Sequence, residues 1–309
     1  MTHLRTVFLG TPETAVPALR ALHEVSNVVL VVTRPDRPRG RSGKPRPPPV
    51  KQAAEELGLS TAQPASRAEL SAFLAGVVPI DLGLVTAFGM ILPAPVLDLP
   101  ARGMINVHFS LLPRWRGASP VQAAIRAGDE TTGVTMMQME AGLDTGPVLA
   151  AIPEPIAPTD NAGELSTRLA DVAAEAISRF FPALAAGDLG PVPQDGEAAT
   201  YAPALTKGDR RLDLTLGARA AARQVRALAP RPGATVVLAG SEVRLLEVAQ
   251  VREDLPAGQL QVEGEEVLLG AGEGSLRLIT LQPSGRREMS ARAFLRGYRQ
   301  PGPDIIARE

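Results

Sequence analysis

The chain has 309 residues, 45% hydrophobic and 21% charged, with a formal net charge of -1; this length suits two domains, each with its own core, and the balance argues against a protein that wraps nucleic acid over its whole surface. It has no cysteine, which excludes disulfides, thiolate nucleophiles and zinc-thiolate sites. The longest apolar stretch, Val77–Leu97, contains Pro79, Asp81, Pro93 and Pro95 and reads as a strand entering a loop, not a membrane span. The start, MTHLRTVFLG, lacks a charged leader with a long apolar region, so a cytoplasmic protein with no membrane partner is expected.

Thr6–Gly10 predicts a strand, and after a Gly-Thr-Pro turn a helix is expected over Pro12–Glu24. Asn27–Thr33 is a continuous apolar run of the kind a parallel strand buried on both faces shows. Further strands are expected at Leu82–Ala87, Met104–Phe109, Gly133–Met139 and Pro147–Ile152, with helices at Lys51–Leu57, Ser119–Ala127 and Ala162–Ala186. That alternation predicts an α/β fold, a doubly wound, mostly parallel Rossmann-like sheet with ligands beyond the carboxyl ends of its strands. The first loop, GTPE, is not G-x-G-x-x-G, so a nicotinamide cofactor is not expected.

Residues 188–204 are rich in Gly, Pro and polar residues and read as a linker between a first domain, 1–187, and a second, 205–309. In the second, a helix at Leu216–Leu228 precedes short strands at Thr235–Leu238, Val243–Val251, Gly258–Glu263, Glu266–Gly270 and Ser275–Leu281. This pattern predicts a small closed or partly closed β-barrel. Residues 1–204 carry a net -4 and residues 205–309 a net +3, so the smaller part is the more basic and permits a local nucleic-acid contact.

Of three histidines, His3 lies in a terminal arm and His23 at a helix end, where both read as surface residues. His108 differs, because the two-residue strand period puts it on the same face as Asn106. Asp144, between Gly142 and Gly146 in MEAGLDTG, sits in a tight loop after a strand; it reads either as a turn aspartate bonded to its own backbone or as a carboxylate that orients His108. Together the three suit addition of an amine to a carbonyl. Asn106 and protonated His108 would donate to the developing oxyanion, while Asp144 relays the amine's proton. No metal is needed.

At this point the sequence resembles a known family. Gly103–Gly146, containing NVHFSLLPRWRGASPVQ and GLDTG, is similar to the signature block of the methionyl-tRNA formyltransferases, which use 10-formyltetrahydrofolate through an Asn-x-His followed by a downstream Asp. The resemblance extends over nearly the whole chain, through FLGTPETAVPALRAL, RPDRPRGRSGKPRPPPVK, AFGMILP, TYAPALTKGDRRLDL and LQPSGRREMSARAFLRG. It implies that Asn106, His108 and Asp144 are catalytic. It also implies a folate site formed by Ser110, Leu111, Leu112 and Pro113, with Phe88, Gly89, Met90, Ile91 and Leu92 nearby. The acceptor would be the α-amine of methionine on initiator tRNA, and a monomeric enzyme is expected.

Arg34–Lys51 holds seven basic residues against the single acid Asp36. By composition it is a solvated loop; by the resemblance it enters the acceptor arm of the tRNA, with Arg41 and Lys44 as contacts. The second domain resembles the family's OB-like tRNA-binding barrel, where Lys207, Arg286 and Arg287 would line the RNA track. Two positions depart from the family's pattern: Phe109, commonly Gly, and Arg231, often an aromatic. Rival acceptors are a nucleotide-sugar amine and water. The arginine-rich loop and RWRGASPVQ favour tRNA over both. A catalytically idle RNA-binding module is a further rival, which the intact Asn106, His108 and Asp144 argue against.

Overall fold

The apolar runs of the first half become neighbouring strands of one sheet. The computed structural model describes residues 4–38 and 43–297, with the backbone of 305–306. From Arg5 to Ala186 the chain runs β1 (Arg5–Gly10), α1 (Val16–Val25), β2 (Asn27–Val32), a hairpin of β3 (Arg37–Pro38) and β4 (Pro45–Arg46), α2 (Pro49–Glu56), β5 (Thr61–Ala62), α3 (Arg67–Ala75), β6 (Leu82–Thr86), α4 (Ala94–Leu97), β7 (Met104–His108), α5 (Pro120–Ala127), β8 (Thr131–Gln138), β9 (Val148–Pro155) and α6 (Ala162–Ala186). Strand order is β5-β2-β1-β6-β7-β8-β9. Pairings from β5 to β7 are parallel, whereas β7–β8 and β8–β9 are antiparallel. The connection from β8 to β9 is too short for a crossover, which needs about a dozen residues or more, so that pair forms a hairpin.

Both faces of the parallel strands are covered. Val7, Leu9, Leu30, Val32, Val85 and Met104 pack with Leu70 and Leu74 of α3 and with Val96 and Leu97 of α4. The alternate residues Phe8, Val31, Leu84 and Ile105 are also buried, which explains why the strands read as unbroken apolar runs. The sequence reading omits α3, although its start is a capping box: Ser66 Oγ accepts from the Glu69 N–H, and the Glu69 carboxylate accepts from the Ala65 N–H. The winding reverses at β1, flanked by β2 and β6, so ligand-binding loops are expected at the carboxyl ends of β1, β6 and β7.

The second half contains α7 (Ala218–Leu228), β10 (Ala234–Leu238), β11 (Ser241–Val251), β12 (Gln259–Glu263), β13 (Glu266–Gly270), β14 (Ser275–Pro283), β15 (Met289–Ser290), α8 (Ala291–Arg296) and β16 (Ile305–Ile306). All five expected strands form. Their pairings are antiparallel, in the order β10-β11-β14-β13-β12-β16, with β15 on β14. Among the described residues no pairing joins β10 back to β12 or β16, so this antiparallel domain is an open path of strands. Alternation in β10 and the stripe Ala221, Val225 and Leu228 on α7 supply one shared core with Leu245, Leu269 and Leu281.

By internal contacts the chain divides into two units, the first comprising residues up to Pro120 with Thr131–Pro155 and Ser166–Tyr201, the second Val121–Glu130, Ile156–Leu165 and Ala202 onward. Most of the segment read as a linker is therefore built into the first unit. Val192 exchanges two backbone hydrogen bonds with Val148, both 2.8 Å, and Thr200 bonds to the turn after β7. Gly and Pro in this stretch reflect irregular backbone, not separation from the core. No described helix is long and apolar enough to cross a membrane.

Candidate active site

β7 lies between β6 and β8, and Asn106 and His108 occupy its last turn of pleat, opposite Met137 and Thr135 of β8. Both side chains stand on one face, as the strand period requires. The loop between β8 and β9 folds back over that face. Its closure needs glycine at 146, since a Cβ there would land on the backbone carbonyl oxygen of Gln138.

That loop delivers Asp144 to β7. Asp144 Oδ1 accepts from Asn106 Nδ2 at 3.2 Å and Oδ2 accepts from the Gly117 N–H at 2.8 Å. The residue adopts φ +52, a left-handed backbone that costs most L-residues roughly 1–2 kcal/mol and that aspartate tolerates better than others. Both oxygens bond to groups outside the loop, so Asp144 is not a turn aspartate closed on its own backbone; the side chain it bonds is Asn106, while His108 stands opposite without a hydrogen bond to it.

His108 is buried, and its Nε2 lies 2.9 Å from the Trp115 carbonyl oxygen. A carbonyl only accepts, so Nε2 carries the hydrogen. Nδ1 is thus the nitrogen that takes up or releases a proton, and it faces Asp144 Oδ2 at 3.8 Å. This gap exceeds a hydrogen bond and leaves the facing atoms open to a third group. Asn106 uses one of its two amide hydrogens on Asp144, leaving the second to donate elsewhere.

The turn after β7 is fastened to β8. Thr135, fully buried, donates to the Ser110 carbonyl at 2.7 Å and accepts from the Leu112 N–H at 3.1 Å, while Ser110 Oγ donates to the Arg114 carbonyl at 2.6 Å. Leu111, Leu112 and Pro113 are half-buried. In the loop after β6, Phe88 and Leu92 join the core, whereas Ile91 is 71% exposed. Gly89, Met90 and Ile91 make no backbone hydrogen bond among the described residues, so this strip offers free N–H and C=O groups beside an apolar side chain.

Sequence reasoning missed the shell behind these groups. Trp115 contributes its carbonyl to His108 and has φ +66. Its N–H donates to Thr200 Oγ1 at 2.9 Å. Arg116, buried, donates through Nε and Nη2 to Gln194 Oε1 at 3.0 and 2.8 Å. Gln194 Nε2 donates to the carbonyls of Asp144 and Gly146 at 2.9 and 2.6 Å. Nothing in a Gly- and Pro-rich stretch marks Gln194 or Thr200 as part of a site; long-range folding alone brings them there.

The basic loop begins as the β3–β4 hairpin, on which Arg37, Lys44 and Arg46 are exposed. Arg41 lies outside the described residues, as does His3. Lys51 is instead an anchor: Nζ donates to Asp36 at 3.2 Å and to Gln63 Oε1 at 2.7 Å. The hydrogen bond from Gln63, then the Lys51 ammonium, hold the Asp36 carboxyl below its usual range against the opposing effect of desolvation. In the second unit Lys207, Arg286 and Arg287 are all exposed, and so is Arg231. His23 is half-buried with an unpartnered Nδ1, not the surface residue expected; the amphipathic α1 turns it partly inward. Phe109 is half-buried. Among the described residues no group of three or more His, Asp or Glu side chains is placed to hold a metal ion.

Residues 4–181 match the formyl transferase family and residues 204–299 the formyl transferase C-terminal domain family. A methionyl-tRNA formyltransferase of Halorhodospira halophila is 46% identical over 306 residues, covering 97% of this chain and 99% of that protein. Among solved structures, the N-formyltransferase from Helicobacter canadensis, in complex with folinic acid and dTDP-3-aminofucose, superposes with a TM-score of 0.69 at 14% identity, over 91% of this chain and 99% of that one. HypX from Aquifex aeolicus in complex with tetrahydrofolic acid gives 0.65 at 18% identity, over 95% of this chain and 47% of that longer one. At such identities the structural likeness is one of fold. The near full-length sequence match goes further, and the chain belongs to the formyl transferase family, among the methionyl-tRNA formyltransferases.

Proposed function

We propose that this chain transfers a formyl group from 10-formyltetrahydrofolate to the α-amine of methionyl initiator tRNA. The observation that carries the reading is the convergence of Asn106, His108 and Asp144 at the carboxyl end of β7, within a chain whose relatives of similar length are methionyl-tRNA formyltransferases. The free backbone of Gly89–Ile91 and exposed Ile91 suit a flat ring with polar edges, and the fastened turn Ser110–Pro113 offers a rigid wall. When bound, the folate supplies an activated formyl carbon on N10.

The chain's own residues then have separable tasks. Asn106 directs its free amide hydrogen at the formyl oxygen, where negative charge develops as the amine attacks. His108, protonated at Nδ1, donates a second hydrogen bond to the same oxygen and keeps its proton throughout, its ring held by the Trp115 carbonyl. Asp144 takes the proton the amine loses, directly or through water. One carbon–nitrogen bond forms to the amino acid, the one to N10 breaks, and the displaced proton ends on N10.

We assign the β3–β4 hairpin, with Lys44 and Arg41, to the acceptor arm, and Lys207, Arg286 and Arg287 to the phosphate track of the tRNA; 205–309 is the tRNA-binding domain in this reading. Lys44, Lys207, Arg286 and Arg287 are exposed, and exposed cations are the groups that replace counterions along a phosphate backbone. The test offers methionyl-tRNA, a nucleotide-sugar amine and water as acceptors in one assay. Formyl is expected on methionyl-tRNA; formyl appearing only on the sugar, or only as formate, would overturn the reading.

A further inference from the structure

We propose that Gln194 is a positioning residue for Asp144, and that Thr200, six residues on, positions His108 through Trp115, so that the segment following α6 is part of the catalytic architecture. The proposal rests on the formyl-transfer reading. Among the described residues, four that are not glycine have left-handed backbone: Ala87, Trp115, Asp144 and Ala239. Two of them, Trp115 and Asp144, hold His108 and Asn106, and both are fastened by this one segment.

Gln194 is fully used. Its amide NH2 spans the carbonyls of Asp144 and Gly146, on either side of Thr145, while its oxygen accepts from both Nε and Nη2 of Arg116. The orientation is settled by chemistry, since a flipped amide would set NH2 against a guanidinium and oxygen against two carbonyls. Only a residue with donor and acceptor on one planar head does both. Glutamate keeps Arg116 and loses the loop; a cationic side chain keeps the loop and repels Arg116. Beside it, Thr200 accepts from the Trp115 N–H and its carbonyl accepts from the Arg116 N–H at 2.8 Å. The peptide whose oxygen holds His108 Nε2 is thereby held from both ends.

The side chain of Gln194 bonds to the main chain of Asp144, not to its carboxylate, so its effect runs through geometry. Loss of the clamp frees Asp144 to leave its left-handed conformation and swing off Asn106. Misplacement of a reacting group by about 1 Å costs on the order of 10²-fold in rate.

The experiment uses full-length Gln194→Glu. Its melting temperature is expected to stay near wild type, because Arg116 retains an acceptor, and KM for methionyl-tRNA and for 10-formyltetrahydrofolate to change less than about threefold, while kcat falls on the order of 10²-fold. A kcat within about threefold of wild type overturns the assignment. Thr200→Val is the second arm, removing one acceptor while keeping side-chain shape; a kcat lowered about tenfold or more at constant KM supports its role through Trp115, and an unchanged kcat removes it. Should wild-type enzyme transfer no formyl to methionyl-tRNA, the functional reading fails separately. A crystal structure of Gln194→Glu then still decides positioning: an Asn106–Asp144 separation beyond about 3.5 Å supports it, and an unmoved loop refutes it.

Discussion

Asn106 and Asp144 stand 38 positions apart in the chain and meet with the amide nitrogen of one 3.2 Å from a carboxylate oxygen of the other. The contact fixes both. It turns the Asn106 amide so that one hydrogen is spent and the other points away, and it leaves Asp144 Oδ2 to the Gly117 N–H and the facing imidazole. In the proposed reaction, the donor for the oxyanion and the carboxylate for the attacking amine are thus set by a single hydrogen bond.

Removing the donor tests its role. Asn106→Ala is expected to lower kcat by about 10²–10³-fold, the usual loss for one oxyanion donor. His108→Ala, which removes the second donor to the same oxygen, is expected to lower it over the same range. In both variants tRNA affinity, read by filter binding, should stay near wild type; a matching loss of affinity would assign these side chains to binding instead.

Gly146 tests the loop. In Gly146→Ala one of its two Cα hydrogens is replaced by a methyl directed at the Gln138 carbonyl oxygen, a backbone atom that cannot swing aside. Destabilisation of about 1–3 kcal/mol is expected from such overpacking. Because the loop carries Asp144, activity measured well below the melting transition should fall as well. Wild-type stability and rate together would show that the approach is looser than described.

The hairpin cations make a salt-dependent prediction. Lys44→Ala and Arg41→Ala are each expected to weaken tRNA binding and to reduce the slope of log affinity against log salt by about 1, as for loss of one phosphate contact. The turnover number at saturating tRNA should hold. An unchanged slope would remove the residue from the RNA track.

Asp36 makes a pH prediction. Its carboxyl is held below the ordinary 3.8 by the hydrogen bond from Gln63 and by Lys51. A depressed folded-state value means that the stabilisation is complete above 3.8 and is lost as pH falls through the lower folded value. Carboxyl NMR should therefore place the Asp36 titration below 3.8 in wild type and move it upward in Gln63→Ala. A wild-type midpoint at or above 3.8 would show that the loop anchor is absent in solution.

Much of the first unit was legible in the sequence because parallel strands covered on both faces advertise themselves as unbroken apolar runs. β1, β2, β6 and β7 carry that signal, and the shared face of Asn106 and His108 on β7 follows from the strand period alone. β5, only Thr61–Ala62, is too short to show any period. The start of α3 was written in its capping box, but its apolar spacing is weak: only Leu70 and Leu74 are buried. The β8–β9 hairpin follows from its short connection, whereas β8 runs antiparallel to β7 after a longer connection through α5, a reversal that local pattern does not report.

By itself the sequence determined which residue types stand ready for amine-to-carbonyl chemistry, which strand end carries two of them, and that the second half is a small domain of short strands. Local periodicity and side-chain chemistry are properties of near neighbours. Only the tertiary structure decided that His108 bonds through Nε2 to Trp115, that Asp144 answers to Asn106, and that Gln194 and Thr200 bond to the backbone of Asp144 and Trp115. Those contacts join positions 7 to 85 residues apart, and their partners are largely backbone groups, which every residue carries and no sequence distinguishes.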